Sequence, residues 1–381
     1  MYGENFASGS VQNDKKDYFK MMKVLILTTH LNYGGISRYV VNLAKGLKLK
    51  GHRVWVGSSG GIWQERLKKE GIDHLYLPIN TKSFLSIKVF LSLFFLVPFL
   101  LRNSIDVIIA NTRVTQFLAY LVMRFFEIKY ISVFHGTYKK NWLRRTFKFE
   151  GVRTIAVSEA VKEYLIKDLF IKEKKIRVVY SGIDIQAFKE RKYSKRDFGI
   201  PSSYITLGVL GRISQEKGHF LVAASFKELI ENYRNIFLLI CGEGRLRKKL
   251  EEFVEKIGVK ERVKFFSLEG RDFLDIVDIL IVASTKEGLG IVILEAFAKG
   301  VPVIAYPCGG IQELIKDKIN GLFFHPYNPS HLKKKIEELI ENEKLKERII
   351  EEAKKDVTKF SLERMSENTE KVMDEVIYEK D

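Results

Sequence analysis

The chain predicts an α/β protein of two doubly wound domains, each built on a parallel sheet, and three observations carry the prediction. Its 381 residues exceed what a single core usually organises, so two domains of roughly 150 to 200 residues are expected. Short runs rich in Val and Ile alternate with helical segments, and their hydrophobicity is continuous rather than alternating, which marks strands covered on both faces. The alternation lapses once, in the charged stretch from Phe188 to Arg196, and then begins again.

In chain order, residues 1–20 are polar and mixed in charge, so they read as a disordered leader rather than a signal peptide, with Met21 or Met22 as plausible starts. Strands are expected at Lys23 to Thr29, Arg53 to Ser58, Ile105 to Ala110, Lys129 to Phe134, Thr154 to Val157 and Ile176 to Val179. After the lapse they recur at Ile205 to Leu210, Ile236 to Cys241, Arg262 to Phe266, Ile279 to Ala283 and Pro302 to Tyr306. The expected organisation is a first Rossmann-like domain over 21–184, a linker over 185–203, a second Rossmann-like domain over 204–360, and a C-terminal helix over 361–381 packing back towards the first domain. Ser83 to Arg102 reads as a helix. Its apolar run Val89 to Leu101 is only about 20 Å long as a helix, against the ~30 Å of a hydrocarbon core, so it should not span a membrane. Packing in the core is its simplest use, and one face at a lipid surface is the alternative.

Charge is uneven. Residues 1–184 hold 30 Lys and Arg against 14 Asp and Glu, while residues 185–381 hold 34 against 33. The positive first half suits an anionic partner, whether membrane, nucleic acid or substrate, or else a solvated basic surface. Cys241 and Cys308 end apolar runs, which argues against a disulfide framework or a cysteine metal site and fits a reducing cytoplasm.

Ligands of doubly wound sheets bind beyond the carboxyl ends of the strands, and four such places carry chemistry. Gly34 and Gly35 open a long amphipathic helix after the first strand, where bare amides can hold an anion, although a tight turn also explains them. His135 stands at a strand tip, either to bond a sugar hydroxyl or to support charge, or as a structural imidazole. Arg212 and Lys217 share the loop after the second domain's first strand, a pair suited to a diphosphate leaving group or to plain solvation. The fourth is Glu287-Gly288-Leu289-Gly290 followed by Glu295. If Gly290 opens a helix, Glu295 falls among apolar residues and must be buried, which costs several kcal/mol unless a partner such as a ribose diol satisfies it. Eight residues across a loop and a helical turn do not put Glu287 and Glu295 on one face, so the pair is not read as a shared acid and base. Cys241-Gly242-Glu243-Gly244 fails as a dinucleotide fingerprint because Arg247 replaces the third glycine. Asp275 and Asp278 read as turn and helix-end residues rather than metal ligands.

In this order the segments resemble the retaining nucleotide-sugar glycosyltransferases of the GT-B fold, specifically glycosyltransferase family 4. The resemblance also rests on Gly182-Ile183-Asp184, Gly300-Val301-Pro302-Val303-Ile304-Ala305 and Gly309-Gly310-Ile311-Gln312-Glu313. It implies two Rossmann-like domains facing across a cleft, with the donor held mainly by the second and the acceptor by the first. It also implies roles: Glu295 on the ribose, Arg212 and Lys217 on the diphosphate, Glu287 with the amides of Gly288 to Gly290 on the donor sugar. Gly34 and Gly35 border diphosphate and acceptor, and His135 contacts the sugar near the reacting carbon. Leu289 stands where the family often has Phe, a change in the wall of the sugar pocket. No metal or cofactor is implied beyond the nucleotide-sugar co-substrate, with a UDP-sugar slightly favoured over a GDP-sugar.

The reading expected from these residues is a cytoplasmic hexosyltransferase, peripheral on the inner face of the membrane, acting on a glycolipid, polysaccharide or lipopolysaccharide precursor. A GT-B epimerase or phosphorylase is the enzymatic alternative. A nucleic-acid-binding protein is the non-enzymatic one, and the absence of an aromatic stacking motif counts against it.

Overall fold

The computed structural model describes residues 21–138, 142–325 and 327–378. The leader expected at residues 1–20 lies outside the described residues. The first sheet is formed by β1 (Lys23–Leu27), β2 (Arg53–Ser58), β3 (Asp73–Tyr76), β4 (Val107–Ala110), β5 (Tyr130–Phe134), β6 (Arg153–Ala156) and β7 (Ile176–Val178). Its helices are α1 (Gly35–Leu49), α2 (Gln64–Lys69), α3 (Ile87–Asn103), α4 (Arg113–Phe126), α5 (Trp142–Thr146) and α6 (Glu159–Lys167). The order β3-β2-β1-β4-β5-β6-β7 is parallel throughout.

The second sheet has β8 (Ile205–Leu210), β9 (Ile236–Cys241), β10 (Val263–Phe266), β11 (Ile279–Val282), β12 (Val303–Ala305) and β13 (Leu322–Phe323), in the parallel order β10-β9-β8-β11-β12-β13. With it run α7 (His219–Leu229), α8 (Arg247–Lys256), α9 (Gly270–Phe273), α10 (Ile291–Lys299), α11 (Ile311–Leu314), α12 (Pro329–Glu341), α13 (Glu343–Asp356) and α14 (Leu362–Tyr378). In both sheets the chain reverses direction beside the first strand, between β1 and β4 and between β8 and β11. Those two switch points are where a doubly wound sheet opens a crevice.

Strands β3 and β13 were not among those expected. β3 is an edge strand whose residues Asp73-His74-Leu75-Tyr76 have no continuous apolar run, because only one neighbour covers it. β13 is two residues long, too short for any periodicity.

The join between the domains explains the two aspartates. Asp275 accepts the backbone amides of Lys192 and Tyr193 at 2.7 and 3.1 Å and forms a buried ion pair with Lys299. Asp278 accepts from Lys195 Nζ at 2.5 Å and from the amide of Thr206 at 2.8 Å. Both carboxylates thus pin the connecting segment to the second domain. The chain re-crosses to the first domain where Ile183 pairs with Ser361, and α14 then packs on α1 and near β4, β5 and β6. Gly46 of α1 permits that contact, since a Cβ there would lie 1.9 Å from Ser366 Oγ. Glu370 of α14 bonds His52 at 2.9 Å and Lys50 at 3.1 Å.

Helix α3 is two-faced in an unusual way. Val89, Ser92, Leu96 and Leu100 are buried, whereas Ile87, Phe90, Leu91, Phe94, Phe95 and Leu101 are exposed, Phe94 by 83%. The exposed positions share a helical stripe, so the solvent side is itself apolar. Among the described residues, no helix is long and apolar enough to cross a membrane.

Candidate active site

The loop after β11 meets the loops after β5 and β6 of the first domain, and the backbones touch. A Cβ on Gly288 would sit 2.0 Å from the carbonyl oxygen of His135, and Ser158 Oγ donates to the Gly288 carbonyl at 2.7 Å. Glu313, just below that loop, accepts the amides of Glu159 and Ala160 at 2.9 and 2.8 Å and the Tyr180 hydroxyl at 2.8 Å. A carboxylate at the start of α6 is favoured by the helix dipole as well as by these bonds. Glycine is needed at 288 because two domains close on one another there.

Gly290 starts α10 with φ 97°, a left-handed turn that favours glycine, and the helix carries Glu295 inward until it is 1% exposed. Its Oε1 is ion-paired with Arg38 of α1, while Oε2 is buried with no hydrogen-bond partner. Burial raises the Glu295 pKa above the ordinary carboxylate range, and Arg38 works against that rise. The cavity beside this pair is lined by Trp63, Arg66, Asp184, Glu269 and Arg271.

Glu287 is held by Lys217, whose Nζ donates to Oε2 at 2.5 Å. The amides of Gly288, Leu289 and Gly290 donate to no acceptor among the described residues, leaving three N–H groups at the start of α10. The Leu289 side chain is buried in the core, so it offers the cleft only its backbone. Gly34 and Gly35 likewise have unoccupied space where a Cβ would stand, with Gly34 at φ 157°. Arg212 is exposed and makes no ion pair among the described residues, and its charge, after burial, helps lower the pKa of His30 across the cleft.

His135 is held in place by Asn111, whose Oδ1 lies 3.0 Å from Nε2, and by the ring of Tyr39 at 4.6 Å, edge to face. Desolvation pushes its pKa down to about 3, so the imidazole is neutral around pH 7. A neutral ring here is a hydrogen-bonding group, not a cation.

The structure brings Gly288 against His135, Lys217 onto Glu287 and Glu295 onto Arg38, and these pairings are new. Lys217 is tied to Glu287 rather than standing with Arg212 as two free cations. Arg38, Asn111, Ser158 and Glu313 were not assigned roles from sequence. Arg38 sits three residues after Gly35, and Asn111 is the first polar residue after an apolar strand, which are the only local signals for either. The glycines of Cys241-Gly242-Glu243-Gly244 have a packing explanation: Cβ atoms at 242 and 244 would meet the carbonyls of Gly211 and Ile213 at 2.0 and 2.1 Å.

Residues 190–356 match the family described as glycosyl transferases group 1, and residues 33–187 match glycosyltransferase family 4. An uncharacterized glycosyltransferase of Methanocaldococcus jannaschii is 30% identical over 375 residues, covering 93% of this chain and 99% of that one. The alpha-monoglucosyldiacylglycerol synthase of Streptococcus pneumoniae is 29% identical over 195 residues, 48% of this chain and 44% of its own. Among solved structures, Anabaena HepE in complex with UDP and glucose superposes with a TM-score of 0.79 at 21% identity, covering 92% of this chain and 99% of that one.

Proposed function

Because this chain belongs to the group 1 glycosyltransferases and has the GT-B fold, we propose that it moves a hexose from a nucleoside diphosphate sugar to a lipid-linked, lipopolysaccharide or polysaccharide acceptor, with retention of anomeric configuration. One observation carries the donor half of this reading. Glu295 is a buried carboxylate with one oxygen on Arg38 and the other without a partner, and a ribose diol supplies the donors that the free oxygen lacks.

Around that anchor, Lys217, Arg212 and the free amides of Gly288 to Gly290 suit a diphosphate, and Gly34 leaves room for it to approach. Glu287 is within reach of the donor sugar. The neutral His135 ring supports a hydrogen bond to a sugar hydroxyl near the reacting carbon. In the retaining scheme the bond from the anomeric carbon to the diphosphate breaks as the acceptor oxygen bonds on the same face. The departing phosphate oxygen takes the acceptor proton, and Arg212 and Lys217 balance the charge that develops. A UDP-sugar is favoured, in keeping with the UDP and glucose bound by the Anabaena relative in fold.

The acceptor half rests on α3 and on charge. Its exposed apolar stripe, beside a first half rich in Lys and Arg, suits an anionic membrane surface on which a glycolipid acceptor resides. The relative from Streptococcus pneumoniae is named for a glycolipid product, which agrees with this class. A thermal-shift screen of UDP- and GDP-sugars, followed by product analysis with the best donor, tests the reading. Glu295→Ala is expected to weaken donor binding about 10- to 100-fold, the worth of hydrogen bonds to a charged group. Ordinary transfer kinetics in that variant would remove the donor-site assignment.

A further inference from the structure

Beyond the donor loops, the first domain holds a second cluster. Arg113 opens α4 immediately after β4, and its guanidinium lies over the rings of Phe84 at 4.9 Å and Phe149 at 5.3 Å. Its Nη2 donates to the Leu143 carbonyl at 3.1 Å. Arg144, in α5 after β5, lies over the ring of Tyr138 at 4.3 Å. The two guanidiniums repel: burial first, and then Arg144, bring the Arg113 pKa down to about 10.

Among the described residues, no carboxylate lies within ion-pair distance of Arg113 or Arg144. Tyr164, on α6, is 7% exposed and feels the charge of both arginines. Its hydroxyl is buried without a well-formed hydrogen bond, the Tyr138 amide being the backbone group nearest to supplying one. Two partly buried like charges beside a buried hydroxyl are costly together unless an anion offsets them.

We propose that Arg113, Arg144 and Tyr164 form a subsite for a phosphate ester, distinct from the donor loops. Guanidinium forks match phosphate oxygens, and a tyrosine hydroxyl adds a third donor. The location gives the phosphate a use that rests on the transferase reading. Asn111, two residues before Arg113, bonds His135, and Tyr138 follows His135 by three residues. On the other side, Phe84 contacts Phe117 at 5.4 Å, and Phe117 contacts Phe90 of α3 at 6.3 Å. A phosphate held here stands between the reacting end of the cleft and the apolar face of α3, which is the layout of a phosphorylated amphiphile: polar end towards His135, hydrocarbon towards α3.

The test is calorimetric titration of the full chain with inorganic phosphate at constant ionic strength and saturating UDP, so that the diphosphate pocket is filled. Phosphate should bind, and Arg144→Gln and Arg113→Gln should each weaken it by about tenfold or more while UDP affinity holds. Arg144→Gln, at a partly exposed side chain, keeps the test intact if the Arg113 variant fails to fold. Equal phosphate affinity in wild type and Arg144→Gln overturns the subsite, as does phosphate binding that saturating UDP abolishes. Flotation on phosphatidylcholine vesicles with and without phosphatidylglycerol separates the sources. Lost preference for phosphatidylglycerol in Arg144→Gln assigns the phosphate to a bilayer headgroup, and retained preference assigns it to the acceptor. A chain that binds phosphate through Arg144 but no nucleotide counts against the transferase reading alone.

Discussion

Arg38 on the first helix of one domain is ion-paired with Glu295, which the core of the other domain encloses. The pair ties the two halves together through a buried carboxylate. Burial raises the Glu295 pKa above the ordinary carboxylate range, and Arg38 is the first influence opposing that rise.

Arg38→Ala should therefore destabilise the chain in a pH-dependent way. A carboxylate whose folded pKa is raised favours folding below its unfolded value and loses that contribution as pH rises through the folded value. Without Arg38 the folded value rises further. Thermal melts should show a loss of about 3 kcal/mol at pH 8, typical of a buried pair stripped of one partner, that shrinks on acidification to pH 5. Adding Glu295→Gln to the variant should recover most of the loss at pH 8. A pH-independent loss would mean that Arg38 acts through packing.

Gly288→Ala should separate closure from folding. The added Cβ would need the space of the His135 carbonyl, 2.0 Å away, so the domains must part at that contact, while the apolar cluster on the far face of each sheet is kept. Transfer is expected to fall about 100-fold, as for other ångström-scale misplacements of reacting groups, with far-ultraviolet circular dichroism unchanged. Wild-type turnover would show that closure at this contact is dispensable.

These two cases show what the chain discloses by itself. Strands buried on both faces are legible because their apolar runs are unbroken, and the burial of Glu295 is legible because Ile291 to Phe297 offers no polar face to turn outward. The partner is not: Arg38 lies 257 positions earlier and meets Glu295 only once two domains close. Gly288 is recognisable as a loop glycine, but the reason a side chain is forbidden belongs to a backbone in the other domain. Likewise, Lys217 reads as a free cation until Glu287 is beside it. α3 is the reverse case. Its composition suits either a core helix or one with a face at a lipid surface, and only the packing decides that Ile87, Phe90, Leu91, Phe94, Phe95 and Leu101 stay outside.

Acid sensitivity should have a histidine component. His135 and His219 are depressed to about 3 and about 4, in both cases chiefly by desolvation. Unfolding lets each take a proton near its ordinary value, so their contribution to stability is complete above about pH 6.5 and lost as pH falls below it. Each buried imidazole can steepen the decline by at most about 1.4 kcal/mol per pH unit. Denaturant midpoints for His219→Gln should fall less between pH 6.5 and 4.5 than those of the wild type. A parallel decline would assign the acid sensitivity to carboxylates. The pH dependence of turnover should also lack an inflection from His135 between pH 6 and 8.

The exposed stripe of α3 makes a prediction that charge alone does not. Phe90, Phe94 and Leu101 extend into solvent on one side of a helix whose opposite side is fixed by Val89, Leu96 and Leu100. Burying a Phe side chain in an acyl region contributes about 1.5 to 3 kcal/mol, and each nearby Lys or Arg about 1 kcal/mol at an anionic surface. If both act, Phe94→Ser should lower the fraction floating with phosphatidylglycerol vesicles by about tenfold, and added salt should weaken the wild type without abolishing its binding. The substituted position is outside the core, so the melting temperature should stay within a few degrees. Flotation that vanishes in salt and ignores Phe94→Ser would reduce the interaction to electrostatics, leaving the apolar face to a protein partner.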